Sequence, residues 1–274
     1  MNIYQKIFNV KQLFLIVIGT ALLSIGNQAQ AQYFGQNKVR YKNLKFKVYE
    51  TPHFHLYYYT KNDSVIKNFA KESEAWYHLH QQVFRDTFRK PNPIILYGNS
   101  PEFQQTTIID SEIGVGTGGV TEGLKNRVFM PLQEINFQTR HVLGHELVHA
   151  FQYHSLIEGD STQLENIGNL PLWMVEGMAE YLSLGKVDAN TAMWMRDAVL
   201  NKDIPTLRDL TTNSKYFPYR YGQAFWAFIG STYGDTLIMP FFKSTAKFGY
   251  EMAIRRTFGY DERTLSSLWK SALE

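Results

Sequence analysis

The apolar positions of this chain follow two rhythms. Leu44 to Tyr49 alternates apolar with polar, and Phe54 to Tyr59 is aromatic-rich. With a break at Thr51-Pro52, Val39 to Tyr59 predicts two strands. Val65, Phe69, Trp76, Leu79 and Phe84 then recur at roughly helical spacing, which predicts a helix capped by Asp63 or Ser64 and running to about Arg85. Pro91-Asn92-Pro93 interrupts the chain before a buried strand, Ile94 to Tyr97. Ser100 to Gln105 reads as a loop or short helix, and Arg127 to Met130 as another strand. Val142, Leu143, Leu147, Val148 and Phe151 make Phe137 to Tyr153 a largely buried helix. A polar loop between Ser155 and Gly168 leads to a second apolar helix, capped by Asn169, with Pro171 in its first turn and Gly185 at its end. From about Asn190 short amphipathic helices follow, with turns at Gly234-Asp235 and at Phe258 to Asp261, before Leu265 to Trp269. The pattern predicts an α+β fold, with a small mixed sheet and one central helix in residues 32–189 and a helical part in 190–274.

The central helix carries His145-Glu146-Leu147-Val148-His149. Four residues of α-helix turn by about 400° and rise about 6 Å, so the two histidines share one face. That spacing lets two imidazoles reach one metal at about 2.0–2.1 Å. Glu146 is placed to take a proton from a water held there. His141 also pairs with His145 by spacing, but Val142 follows it, so His141 reads as a supporting or surface residue. His154 is expected past the helix end and exposed. His53 and His55 share a strand face but are expected to lack a nearby acid, and His78 and His80 fall on different helix faces. None of the four is expected to bind metal.

Two histidines need a third protein ligand. The pattern His-Glu-x-x-His-x-x-Gly-x-x-His fails, because Gln152 and Ser155 stand where its Gly and His would be. Glu176 and Glu180, one turn apart on an otherwise apolar helix, are the candidates. Burying both without a cation or a histidine partner would be costly.

With 44% hydrophobic and 15% aromatic residues in 274, the chain can bury a sizeable core. There is no basic stripe for nucleic acid and no Gly-Lys-Ser/Thr for a nucleotide. The absence of cysteine excludes disulfides, thiol nucleophiles and Cys-ligated zinc. Lys6 and Lys11, the apolar run Leu13 to Leu23, and Ala29-Gln30-Ala31 form a secretory signal cleaved after Ala31. The other reading is an uncleaved anchor. Cleavage takes the net charge from +3 to +1 by removing the two lysines. The expected location is secreted or periplasmic, with no stable membrane span after removal of the signal. The glycines of Ile113 to Val120 read either as an edge strand or loop rimming a cleft, onto which an extended substrate could add, or as a plain hairpin turn.

His145 to His149, together with Trp173-Met174-Val175-Glu176-Gly177-Met178-Ala179-Glu180-Tyr181, resembles the gluzincin metallopeptidases, which include thermolysin and the aminopeptidase N family. The resemblance implies a zincin-like, peptidase MA-like domain. It implies one zinc ion held by His145, His149 and Glu176, with Glu180 orienting a ligand histidine. Tyr219-Arg220-Tyr221-Gly222 is similar to the Tyr-x-x-Gly helix of the aminopeptidase N family, which implies that Tyr219, or else Tyr221, donates to an oxyanion. The Gly-x-Met-Glu-Asn segment that anchors a free amino terminus in those aminopeptidases is absent. Gly119-Val120-Thr121-Glu122-Gly123 departs from it, which implies an endopeptidase acting on peptide or protein substrates. Similar secreted domains often precede a β-propeller in longer relatives, so the resemblance leaves two alternatives, a domain acting alone or one partnered by a propeller. Two other functions fit the motifs: a non-catalytic zinc-stabilised module binding a protein or glycan, and a zinc hydrolase acting on a non-peptide bond.

Overall fold

The computed structural model describes residues 40–109, 112–157 and 164–274. The signal-peptide expectation and the polar segment Glu158 to Gln163 lie outside the described residues. The fold is α+β, a five-stranded mixed sheet with a larger helical part. β1 (Lys47–Glu50) and β2 (Phe54–Tyr58) form an antiparallel pair, after which α1 (Asp63–Phe84) crosses to β3 (Asn92–Tyr97), parallel to β2. α2 (Ser100–Phe103) precedes β4 (Val120–Glu122) and β5 (Arg127–Pro131). The strand order β1-β2-β3-β5-β4 leaves β4 as an edge strand, antiparallel to β5. The glycine-rich segment thus leads into an edge strand.

Alternation along the strands explains how the sheet is covered. Phe54, Leu56, Ile94, Leu96, Val128 and Met130 face one side and are buried with α1 and α3 (Asn136–Ile157). Tyr97 and Phe129 face the other side and meet Phe103 and Ile113 in a smaller cluster. His80 is buried between the helices. Its Nε2–H donates to the Gly144 carbonyl at 3.0 Å while its ring stacks on Trp76.

After α4 (Leu164–Ile167) come α5 (Leu172–Leu184), α6 (Ala189–Leu200), α7 (Leu207–Thr212), α8 (Pro218–Thr232), a 3-10 turn (Asp235–Leu237), α9 (Ile238–Phe248), α10 (Tyr250–Phe258) and α11 (Glu262–Leu273). Their apolar faces join the same core as the sheet, from Phe54 to Trp269. Among the described residues, no helix is long and apolar enough to cross a membrane. α5 and α8 meet backbone to backbone. A Cβ on Gly177 would lie 2.3 Å from Gly222 Cα, and one on Gly222 would lie 2.0 Å from the Trp173 carbonyl oxygen. Only glycine fits either position.

Several boundaries differ from the sequence expectation. Asn62, not Asp63 or Ser64, caps α1, accepting from Ser64 N and Val65 N. α3 continues past Tyr153 to Ile157, so His154 is helical and sits 2.7 Å from Asp86, where it is partly buried rather than exposed. Pro171 precedes α5 with no side-chain cap, and Asn169 instead donates to the Ala246 carbonyl at 2.9 Å. For His154 and Asn169 a partner distant in sequence overrides the local rule, whereas the α1 cap is still local and only shifted by one residue.

Gly222→Ala is expected to cost about 2–3 kcal/mol, measured by urea unfolding, because the added methyl has only backbone to push against. Burial pushes the His80 imidazole down to about 4, the Gly144 carbonyl acting slightly the other way. The unfolded chain takes up this proton near pH 6.5. Stability from neutral His80 is therefore present above pH 6.5 and lost as pH falls toward 4, by on the order of 3 kcal/mol. His80→Gln, which keeps a donor for Gly144, is expected to lose this acid sensitivity in unfolding curves at pH 4 and 7.

Candidate metal centre

α3 presents His145, Glu146 and His149, all buried, toward α5 and the edge strand. His145 Nε2 and His149 Nε2 are 3.1 Å apart. Glu176 Oε2, from α5, lies 3.2 Å from the first and 3.3 Å from the second. A tetrahedral cation with bonds of about 2.0–2.1 Å spaces its donors about 3.3 Å apart, so this triangle has the right dimensions.

Hydrogen bonding on the far side of each ring fixes which nitrogen faces the triangle. His145 Nδ1 donates to Glu180 Oε1 at 2.9 Å, and His149 Nδ1 donates to Gln152 Oε1 at 2.8 Å. The Gln152 amide is held the right way round because its Nε2 donates to the Val175 carbonyl at 3.1 Å. With both Nδ1 atoms protonated, the neutral rings turn two lone pairs inward against a carboxylate oxygen. Three acceptors facing one another in a buried site require a positive charge between them. The residues present therefore fit a divalent cation. In the protein alone a proton answers this demand for positive charge. Burial would push the His145 imidazole down, yet the Glu176 and Glu180 carboxylates hold it up at about 10. Burial likewise opposes the charge on Glu176, but His149 and His145 hold its carboxyl far below the usual range.

Glu180 is the hub behind the site. Its Oε1 also lies 3.1 Å from His141 Nε2, and its Oε2 is 2.9 Å from Arg220 Nη1 of α8. Burial opposes its charge too, yet His141 and His145 lower its carboxyl to about 2. His141, His145 and Glu180 are themselves close enough to share an ion. The Arg220 guanidinium already supplies that positive charge, and His145 spends its Nδ1 proton there. A third cluster, His53, Glu74 and His78, lies at the surface. Here the fold corrects the sequence reading, because Glu74 from α1 reaches His53 Nδ1 at 2.6 Å. Glu74 also accepts from the His53 backbone N–H, so its charge is answered within the chain.

Glu146 does not join the triangle. Its Oε2 accepts from Thr121 Oγ1 of β4 at 2.7 Å. A Cβ on Gly119 would fall 2.8 Å from Glu146 Oε1, so the glycine keeps that side of the carboxylate free of side chain. Tyr219 stacks on the His145 ring with 5.8 Å between centroids and 12° between planes. Burial and the Glu176 carboxylate, to which its hydroxyl donates, push the phenol above its ordinary range and keep it protonated. Tyr221 sits elsewhere, edge-on to Trp194 and Tyr216, with Asp203 as its main charged neighbour. The structure thus gathers His145, Glu146, His149, Glu176, Glu180 and Tyr219 at one place and leaves Tyr221 out.

Sequence reasoning missed Gln152 and Tyr153, and although it placed the Gly119 segment at the rim of a cleft it missed the contacts of Gly119 and Thr121 with Glu146. Gln152 stands one turn beyond His149 on the same face, a spacing that marks it as a candidate partner. Tyr153 lies against Gly123, and burial with the Glu176 and Glu146 charges nearby pushes its phenol up. No single-residue pattern identifies the others, since each acts across the fold.

Residues 73–274 match the family model described as the Peptidase MA superfamily. No curated protein matches the chain.

The folded chain is expected to bind one equivalent of zinc and to melt at higher temperature when loaded. At zinc near 100 times Kd the gain is about 2.7 kcal/mol. Metal analysis beside thermal scans, with and without chelator, checks this. Glu176→Ala should bind less than stoichiometric zinc and lose the shift.

Proposed function

The chain belongs to the Peptidase MA superfamily, and on that premise we propose that it is a zinc metallopeptidase hydrolysing internal peptide bonds outside the cytoplasm. The observation carrying this reading is the triangle of His145 Nε2, His149 Nε2 and Glu176 Oε2, oriented by the outward Nδ1 bonds and flanked by an acid that is not part of it. A zinc ion bound there supplies Lewis acidity, polarising a peptide carbonyl and making a water easier to deprotonate.

The chain's own residues do the rest. Thr121 anchors Glu146 Oε2, which leaves Oε1 to take the proton from the attacking water and pass it to the departing amine. Protonated Tyr219 donates to the oxyanion as it forms, a contribution of roughly 3–4 kcal/mol for one such donor. Glu180, held by Arg220 and His141, keeps the His145 ring turned with Nε2 inward.

Endopeptidase action is favoured by the edge strand. In the segment Gly119 to Gly123 the one acid is Glu122, and Arg127 Nε donates to its Oε2 at 2.6 Å. That pairing leaves no carboxylate there to hold a substrate's free amino terminus. The extracellular or periplasmic location rests on the charge and apolar pattern of residues 1–31.

Glu146→Gln is expected to keep one zinc per chain and to lose about 10²–10⁴-fold in turnover of an internally cleaved peptide. Metal content and cleavage of a blocked-end peptide library, followed by mass spectrometry, test this. Undiminished cleavage by the variant removes the general-base assignment, and a parent that cleaves no blocked peptide removes the endopeptidase reading.

A further inference from the structure

A row of rings runs outward from the metal centre. Tyr219 lies parallel to His145, and Phe217 stacks on Tyr219 at 5.0 Å and 24°. Trp194 of α6 follows Phe217 at 5.6 Å and 36°. Tyr219 is half-buried, whereas Phe217 is 41% and Trp194 38% exposed. The row therefore opens to solvent as it leaves the ionisable cluster.

Neither outer ring stands where local rules would put it. Phe217 occupies the N-cap of α8, where Ser, Thr, Asp or Asn would accept from free N–H groups, and no side chain caps that helix. Trp194 lies off the buried face of α6, which is formed by Thr191, Met195 and Ala198. Isolated exposed rings need no explanation, but a stacked row continuous with a buried charged centre does. Trp194 also packs edge-on against buried Tyr221, which holds the outer end of the row in place while leaving part of its ring exposed.

We infer that Phe217 and Trp194 form an apolar subsite of the cleft that receives an aromatic or large aliphatic side chain of the substrate, next to the bond being cleaved. This deepens the peptidase reading and rests on it. The occupant is one substrate side chain rather than a partner protein. The row starts at a ring stacked on His145, so whatever lies along it reaches the reacting bond. Two partly exposed rings offer contact for one side chain and not the extended face, roughly 800 Å² per partner, of a stable interface.

The test uses the full chain carrying Glu146→Gln, loaded with zinc, and fluorescent blocked peptides that differ at one position. Anisotropy is expected to show the Phe or Leu peptide binding about tenfold or more tighter than the Ser or Asp peptide. Adding Phe217→Ser and Trp194→Ser should erase that preference. Phe217→Ser alone should hold or raise the melting temperature, because serine caps the helix that phenylalanine does not, so lost preference is not lost folding. Equal binding of all peptides by the parent, no binding of any, or a preference that survives both substitutions overturns the inference. Cleavage by the wild-type chain separates the two ideas. Unselective cleavage leaves the peptidase standing and removes the subsite. Selective binding with no cleavage of any peptide does the reverse.

Discussion

Everything at the centre depends on how closely α5 approaches α8. Their backbones touch at Gly177 and Gly222, where no side chain fits. Glu176 precedes the first glycine, and Tyr219 and Arg220 lie within the turn before the second. The contact therefore sets three functional side chains against one another and holds them opposite α3. One indole locks the crossing, Trp226 Nε1 donating to the Met174 carbonyl, while Trp173 Nε1 ties α5 to Thr211 Oγ1 of α7. Substituting either glycine would move Tyr219 and Arg220 away from Glu176 and Glu180 and not merely loosen packing.

The second constraint is electrostatic. Several ionisable groups are buried between α3, α5 and α8, and buried charge is costly unless each member finds a partner. The arrangement meets this in layers. Arg220 and His141 answer Glu180, Glu180 and Gln152 orient the two imidazoles, and the inward lone pairs with Glu176 then face a gap suited to a cation. The outer layer fixes geometry and the inner layer holds the charge. Histidine serves both, because one nitrogen can donate outward while the other accepts inward.

The sheet contributes from the opposite side. β4 is short and unpaired on its outer edge, and the Gly119 and Thr121 contacts bring it against Glu146. An edge strand placed there leaves unused backbone donors and acceptors beside the proposed general base. On the side of α6 and α8, Trp194 and Phe217 continue the ring row that begins at Tyr219. The two sides therefore differ in chemistry: backbone polar groups on one, aromatic rings on the other.

What the sequence determined by itself lies within single elements. The alternating strands, the apolar helix around residue 145, the one-turn spacing of His145 and His149, and that of Glu176 and Glu180 are short-range periodicities, so a linear reading recovers them. That reading also kept Glu146 distinct from the ligand pair. Tertiary structure alone decided the rest. The Gln152–Val175 bond, the Thr121–Glu146 bond, the Glu180–Arg220 pair and the Glu74–His53 pair each join groups that are far apart in sequence. It also set Tyr219 against His145 and Tyr221 against Tyr216, and it carried α3 through to Ile157 where His154 found Asp86. The physical reason is common to all of them. Periodicity states which face of an element is buried, but not what the opposite wall will be, and the partner of a buried polar group belongs to that wall.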